Sequence, residues 1–191
     1  YDRLMNEFNR ILENNPDRLN VFESIILLHA ARKEYDVALA KCDRQIERLK
    51  DKPRLAARVY NIKGGLYLDR NSIDQARDAF NQAIALAPDF QKPYYGLARL
   101  YIISKDIDSA VSQYQSLLSR DPRQPVPYLL LGVMYKMKGD YPAAEGYYRK
   151  ALEMDPNFVQ AANNLAYLLT EQGRQLEEAV SLALRARELK P

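Results

Sequence analysis

Tryptophan is absent from this chain, and cysteine and histidine occur once each, as Cys42 and His29. One cysteine excludes an intramolecular disulfide and any metal site built from several thiolates. One histidine excludes every metal or catalytic motif that needs two. Long apolar runs are missing as well. The densest, at 128–135, contains Gly132 and falls far short of the roughly 20 residues a membrane-spanning helix requires. Glycine is scarce, and no Gly-Lys-Ser or Gly-Lys-Thr follows the Gly64-Gly65 pair, so no phosphate-cradling loop is expected. The net charge is only +3. Arg54 and Arg58, or Arg185, Arg187 and Lys190, form no stripe interleaved with aromatics, which speaks against nucleic acid. Acids such as Glu177-Glu178 are scattered over the chain, and nothing converges them for acid–base work. No catalytic residue, cofactor or metal is expected.

What the chain does have is 14 tyrosines and 10 prolines. Proline breaks helices, so its spacing matters. Pro88, Pro122 and Pro156 lie 34 residues apart, and Pro16 and Pro191 take the matching places near the two ends. A fixed period of that length signals a repeat architecture. With each such proline at position 32 of a 34-residue unit, the chain divides into a half repeat 1–18 and repeats 19–52, 57–90, 91–124, 125–158 and 159–191. Residues 53–56 are the only extras before a one-residue insertion near Gln175.

The columns of this alignment describe two antiparallel helices, A then B, in each unit. Position 20 reads Leu4, Ala38, Ala76, Ala110, Ala144 and Ala179; position 8 reads Ile26, Gly64, Ala98, Gly132 and Ala166. Small residues there let the two backbones approach, while large ones at 4, 7, 11 and 24 fill the space around them. Eleven tyrosines occupy such structural columns, Tyr1 among them at position 17. His29 stands in a tyrosine column and Cys42 in a phenylalanine and tyrosine column, so both read as core residues. Position 15 reads Lys33, Asn71, Lys105, Gly139 and Gly173, where a left-handed residue is expected to end helix A. The two lysines are strained in that conformation. Departures gather early: Ile26 at position 8, Gln45 at 27, Lys63 at 7, and the extra residues, which make 50–56 a lengthened joint with Pro53 in the first turn of the next helix.

The unit Tyr128-x-x-Leu131-Gly132-x-x-Tyr135, Gly139, Tyr141, Ala144, Tyr148, Ala151, Pro156 resembles the tetratricopeptide repeat (TPR) at nearly every position, and the resemblance covers the whole chain. It implies an all-α fold, a right-handed α-solenoid of antiparallel helix pairs. It also implies a non-catalytic scaffold that binds a peptide segment or partner helix on its concave surface, lined by helix A positions 2, 5, 9, 12 and 13. Those positions hold Arg58, Asn61, Lys92, Tyr95, Arg99, Leu129, Val133, Lys136, Asn163 and Tyr167. Tyr95 and Tyr167 are the tyrosines there that no structural column explains, and tyrosine suits an interface. Arg58, Lys92 and Arg99 favour an acidic partner, and Leu129, Val133 and Met137 an amphipathic one. The carboxylate-clamp pattern of chaperone-tail binders is absent in every register: beginning at the first full repeat, for example, it would fall on Glu23, Leu27, Ile62, Lys92 and Gly96. An asparagine ladder at position 6 is absent too.

A start on helix B and a finish at position 32 resemble a piece cut from a longer repeat protein, with uncapped ends open to self-association. The run at 163–169 looks like the last repeats of bacterial TPR proteins, including those of envelope and exopolysaccharide export systems. An assembly module and a regulatory segment of a larger enzyme are the alternatives.

Overall fold

A computed structural model describes residues 2–189. Tyr1, Lys190 and Pro191, and the column assignments made for them, lie outside the described residues. Those residues are helical nearly throughout: α1 (Asp2–Asn14), α2 (Leu19–Ala31), α3 (Tyr35–Arg48), α4 (Pro53–Asp69), α5 (Ile73–Leu86), α6 (Lys92–Ser104), α7 (Ile107–Arg120), α8 (Pro125–Met137), α9 (Tyr141–Met154), α10 (Val159–Glu171) and α11 (Leu176–Glu188). No strand occurs among the described residues. The even-numbered helices carry the helix A columns and the odd-numbered ones helix B. The chain forms two compact units, Tyr1–Leu100 and Tyr101–Pro191.

Each helix A ends in the same way. Lys33, Asn71, Lys105, Gly139 and Gly173 all have φ between +57° and +78°. In each case the N–H of this residue donates to the carbonyl three residues back, and the next N–H reaches five residues back. Glu34 N donates to His29 O at 2.9 Å, Asp140 N to Tyr135 O at 3.0 Å, and Arg174 N to Leu169 O at 2.9 Å. This is the Schellman arrangement, which satisfies carbonyls that the helix end would otherwise leave free. Asp106 and Asp140 then cap the next helix, accepting from Ser109 N and Ala143 N. The insertion before α11 adds a second left-handed residue, Gln175, at φ +48°.

The prolines sit in the opposite turn. Arg18, Phe90 and Phe158 donate their N–H groups to the carbonyls of Asn15, Ala87 and Asp155, closing four-residue turns with Pro16, Pro88 and Pro156 second. Proline's fixed φ suits that place. In the Pro122 turn the Asp121 carboxylate accepts from Arg123 N instead.

Packing within a pair rests on a large ring against a small residue. A Cβ on Gly64 would lie 2.6 Å from the Phe80 ring, one on Gly96 2.5 Å from the same ring, and one on Gly132 2.4 Å from Tyr148. Phe80 is therefore clasped between two glycines, one on its own helix A and one on the next. In the first full repeat the sizes are exchanged: Ile26 and Cys42 are both buried in one cluster. The alanines at position 20, from Ala38 to Ala179, are all buried. Of the tyrosine columns, Tyr94, Tyr101, Tyr114 and Tyr148 are fully buried, whereas Tyr141 is exposed, contrary to a core role.

The early departures are compensated. Lys63, in a leucine column, reaches Asp43 at 2.5 Å. Burial pulls its pKa down, but the hydrogen bond and charge of Asp43 outweigh that and leave it raised. Gln45 is buried and its Nε2 donates to Pro16 O at 2.6 Å. Residues 53–56 are not loop. They add a turn to α4, making it the longest helix at 17 residues, with Pro53 in its first turn and Ala56 buried.

Gly64→Ala is expected to lower stability, since overpacking costs about 1–3 kcal/mol against the roughly 1 kcal/mol of helix propensity that alanine brings. Its neighbour Gly65, with open space at its Cβ position, should show that propensity gain alone. Opposite shifts of the two denaturation midpoints are the expected result; shifts of one sign would remove the ring-on-glycine account. At the left-handed position, Lys105→Gly should stabilise by about 0.5–1 kcal/mol, strain relief less the entropy of the freer unfolded chain. Gly139→Ala should lower stability although nothing lies within 4 Å of its Cβ position.

Candidate protein-binding face

In the first unit, the face carried by positions 2, 5, 9, 12 and 13 of α2, α4 and α6 is largely polar. Arg58 Nη2 on α4 lies 2.9 Å from Glu23 Oε1 on α2, so the arginine is already paired within the chain. Asn61 is half-buried beside it in sequence, and Lys92 and Arg99 are exposed. Among the described residues neither of these two cations has an ion-pair partner. Tyr95 is half-buried, and its hydroxyl is enclosed with no hydrogen-bond partner among the described residues. Burial accordingly raises its pKa. The side chain is thus partly built into the protein rather than offered from it.

The second unit presents a different face. Leu129 is only 2% exposed and is unavailable to a partner. Val133 is half-buried and Asn163 exposed. Lys136 is the hub: its Nζ lies 4.0 Å from the centroid of the Tyr167 ring and 3.0 Å from Glu171 Oε2. The ammonium is thereby held by a ring face and a carboxylate at once, both on α10. Tyr167 stays 62% exposed, and Met137, Ile103 and Ile102 on the same helix A positions are 51%, 49% and 41% exposed. The helix A positions of this unit thus expose apolar side chains alongside one neutralised cation.

Of the expected face residues, the structure therefore brings Lys136 and Tyr167 into direct contact and withdraws Leu129. The partners that sequence reading did not assign are the acids Glu23 and Glu171. A usable signal existed: opposite charges 35 residues apart, one period plus one, at Glu23 and Arg58 and again at Lys136 and Glu171. The same spacing joins Lys52 to Asp17 and Arg54 to Asp89.

The single histidine and cysteine both face inward. His29 Nδ1 lies 2.7 Å from Glu34 Oε2, and Arg32 Nε donates to the other carboxylate oxygen at 2.7 Å. These two bonds, that from His29 first, hold the Glu34 pKa below its ordinary value. Cys42 is fully buried, and burial, with the charge of Asp43 adding, pushes its thiol up to about 12. A thiol reagent at pH 8 should therefore leave the folded protein unmodified and react on addition of denaturant; prompt reaction of the native chain would contradict the packing described.

Helix pairs repeating every 34 residues, closed by alternating Schellman and proline turns, define an α-solenoid repeat protein. Comparison with family models gives three matches, each described as tetratricopeptide repeat, over residues 67–132, 125–158 and 147–181. The chain belongs to the tetratricopeptide repeat proteins. Solved structures of the same fold include BtubC from P. vanneervenii, 18% identical, covering 98% of this chain and 87% of that one with a TM-score of 0.60. MamA from Desulfovibrio magneticus RS-1 is 16% identical, covering 89% and 93% with a TM-score of 0.55. YrrB, a TPR protein with an unusual peptide-binding site, is 19% identical, covering 96% and 92% with a TM-score of 0.51. At these identities the likeness is one of fold. No curated protein matches the sequence.

Proposed function

We propose that the chain is a non-catalytic scaffold that binds a peptide segment or partner helix of another protein on its helix A face. The observation that carries this is the exposed row Ile102, Ile103, Met137 and Tyr167 in the second unit, on a face where Lys136 is already neutralised by Glu171. Apolar side chains left in water on one face are surface a partner can cover. With its cation paired, this face suits the apolar side of an amphipathic segment better than an acidic one. A tyrosine held in place by a lysine also loses little freedom on binding, which favours affinity. The peptide-binding site of YrrB supports the reading by analogy of fold. Tetratricopeptide folds are typical of non-catalytic proteins, which supports the scaffold reading over an enzymatic one.

The test is a peptide-display selection on the whole chain, with affinities of the selected peptides then measured by fluorescence anisotropy. Tyr167→Ala is expected to weaken binding by about 1–2 kcal/mol while leaving the unfolding midpoint in place, because the ring is exposed. Unchanged affinity for Tyr167→Ala and Met137→Ala alike would place binding elsewhere.

The second reading, an assembly module, draws on α11. Leu176, Val180 and Leu184 lie exposed along one side of that helix at intervals of four residues. Sedimentation of the chain over a range of concentrations, compared with Val180→Glu, separates self-association through this stripe from peptide binding.

A further inference from the structure

The first unit holds a cleft that the helix A face does not use. A cavity of about 130 Å³ opens between α1, α2 and α3. Its floor is apolar, with Leu12, Phe22 and Ile25 lining it, all three buried. Its rim is cationic. Lys41, Arg44 and Arg48 follow one another at intervals of three and four along α3, so a single helix face carries them all. One carboxylate, Glu13, stands on the same rim.

Several cations of the unit are offset by acids, although among the described residues Lys92 and Arg99 are not. Lys52, Arg58, Lys63 and Arg70 each have an acid within ion-pair distance. Lys41 reaches a neutral oxygen instead, Asn9 Oδ1 at 3.4 Å. Among the described residues neither Arg44 nor Arg48 has an ion-pair partner. Lys41 is partly buried, and its pKa lies below the ordinary lysine value, through burial first and the charge of Arg44 second. The rim therefore carries three cations against the one carboxylate of Glu13, a net positive charge.

Size narrows the occupant. Sites for drug-sized ligands run to about 300–1,000 Å³, whereas this cavity has room for one side chain. We propose that the cleft is a second docking site, taking an acidic peptide segment of a partner protein whose single apolar side chain enters the cavity while flanking carboxylates meet Lys41, Arg44 and Arg48. The apolar floor supplies contact area, and the three cations supply selectivity and a salt-sensitive on-rate.

The experiment is a display selection of short random peptides on the whole chain, run in parallel on Arg44→Glu/Arg48→Glu. Both arginines are exposed, so the double variant is expected to fold. The wild-type pool should be enriched in sequences with one apolar residue among several acids, and that class should vanish from the variant pool. A representative acidic peptide should bind the variant at least tenfold more weakly, bind wild type more weakly as salt rises, and shift the methyl resonances of Leu12 and Ile25. Tyr167→Ala should leave its affinity unchanged, which keeps this site distinct from the helix A face. Identical pools from the two proteins, no enrichment of acidic sequences, or displacement of the peptide by a single-stranded oligonucleotide or free phosphate would each overturn the proposal.

Discussion

In every full repeat the chain must reverse direction between helix A and helix B, and the reversal starts on a residue with φ between +57° and +78°. That residue sends its own N–H and the next one back into the helix it closes, so the turn is fixed by hydrogen bonds rather than by side chains. With the reversal fixed, helix B returns at a set height along helix A. The residue at position 24 then meets position 8, and the clasp of ring on glycine becomes possible. The turn keeps the same left-handed conformation with Lys33, Asn71 and Lys105 as with Gly139 and Gly173, at a cost to the non-glycine residues. Packing of the pair evidently outweighs the roughly 1–2 kcal/mol an L-residue loses there.

The periodic part of this architecture was readable from residues alone. Proline spacing gave the units, and the left-handed position could be named before any coordinate, because glycine and asparagine occupy it in three repeats. Non-periodic choices were harder. Lys63 and Gln45 read as flaws in their columns, yet each is answered by a group distant in sequence: Asp43 on the preceding helix B and the carbonyl of Pro16. Gly96 carried no signal in its own column and matters only because Phe80 leans on it from the previous repeat. Contacts between repeats depend on which side chain of one unit faces which of the next. A column alignment lines up equivalents, not neighbours.

The same distinction governs the binding face. Position numbers identified the surface, but exposure and charge balance are properties of pairs. Arg58 reads as a cation open to an acidic partner, and Lys136 as a lining residue, until Glu23 and Glu171 are found beside them. Leu129 read as floor and is core, while Tyr95 is half enclosed. The surface left open is polar in the first unit and apolar in the second. Among the described residues, Lys92 and Arg99 stay without acids on that face, and Lys41, Arg44 and Arg48 do so on the opposite side, along α3.

The exchange of sizes between Ile26 with Cys42 and Gly64 with Phe80 bears on how the chain finds its own pairing. Near-identical helix hairpins in tandem invite a helix A to close on the wrong helix B during folding. Here α2 laid on α5 would set isoleucine against phenylalanine, two bulky groups in one slot. The reverse error, α4 on α3, would leave a void where a glycine faces a cysteine. Both mistakes carry a penalty of the kind that excludes alternative folds. The irregular first repeat thus works as a key, giving the first two hairpins complementary identities that a perfectly regular array would lack.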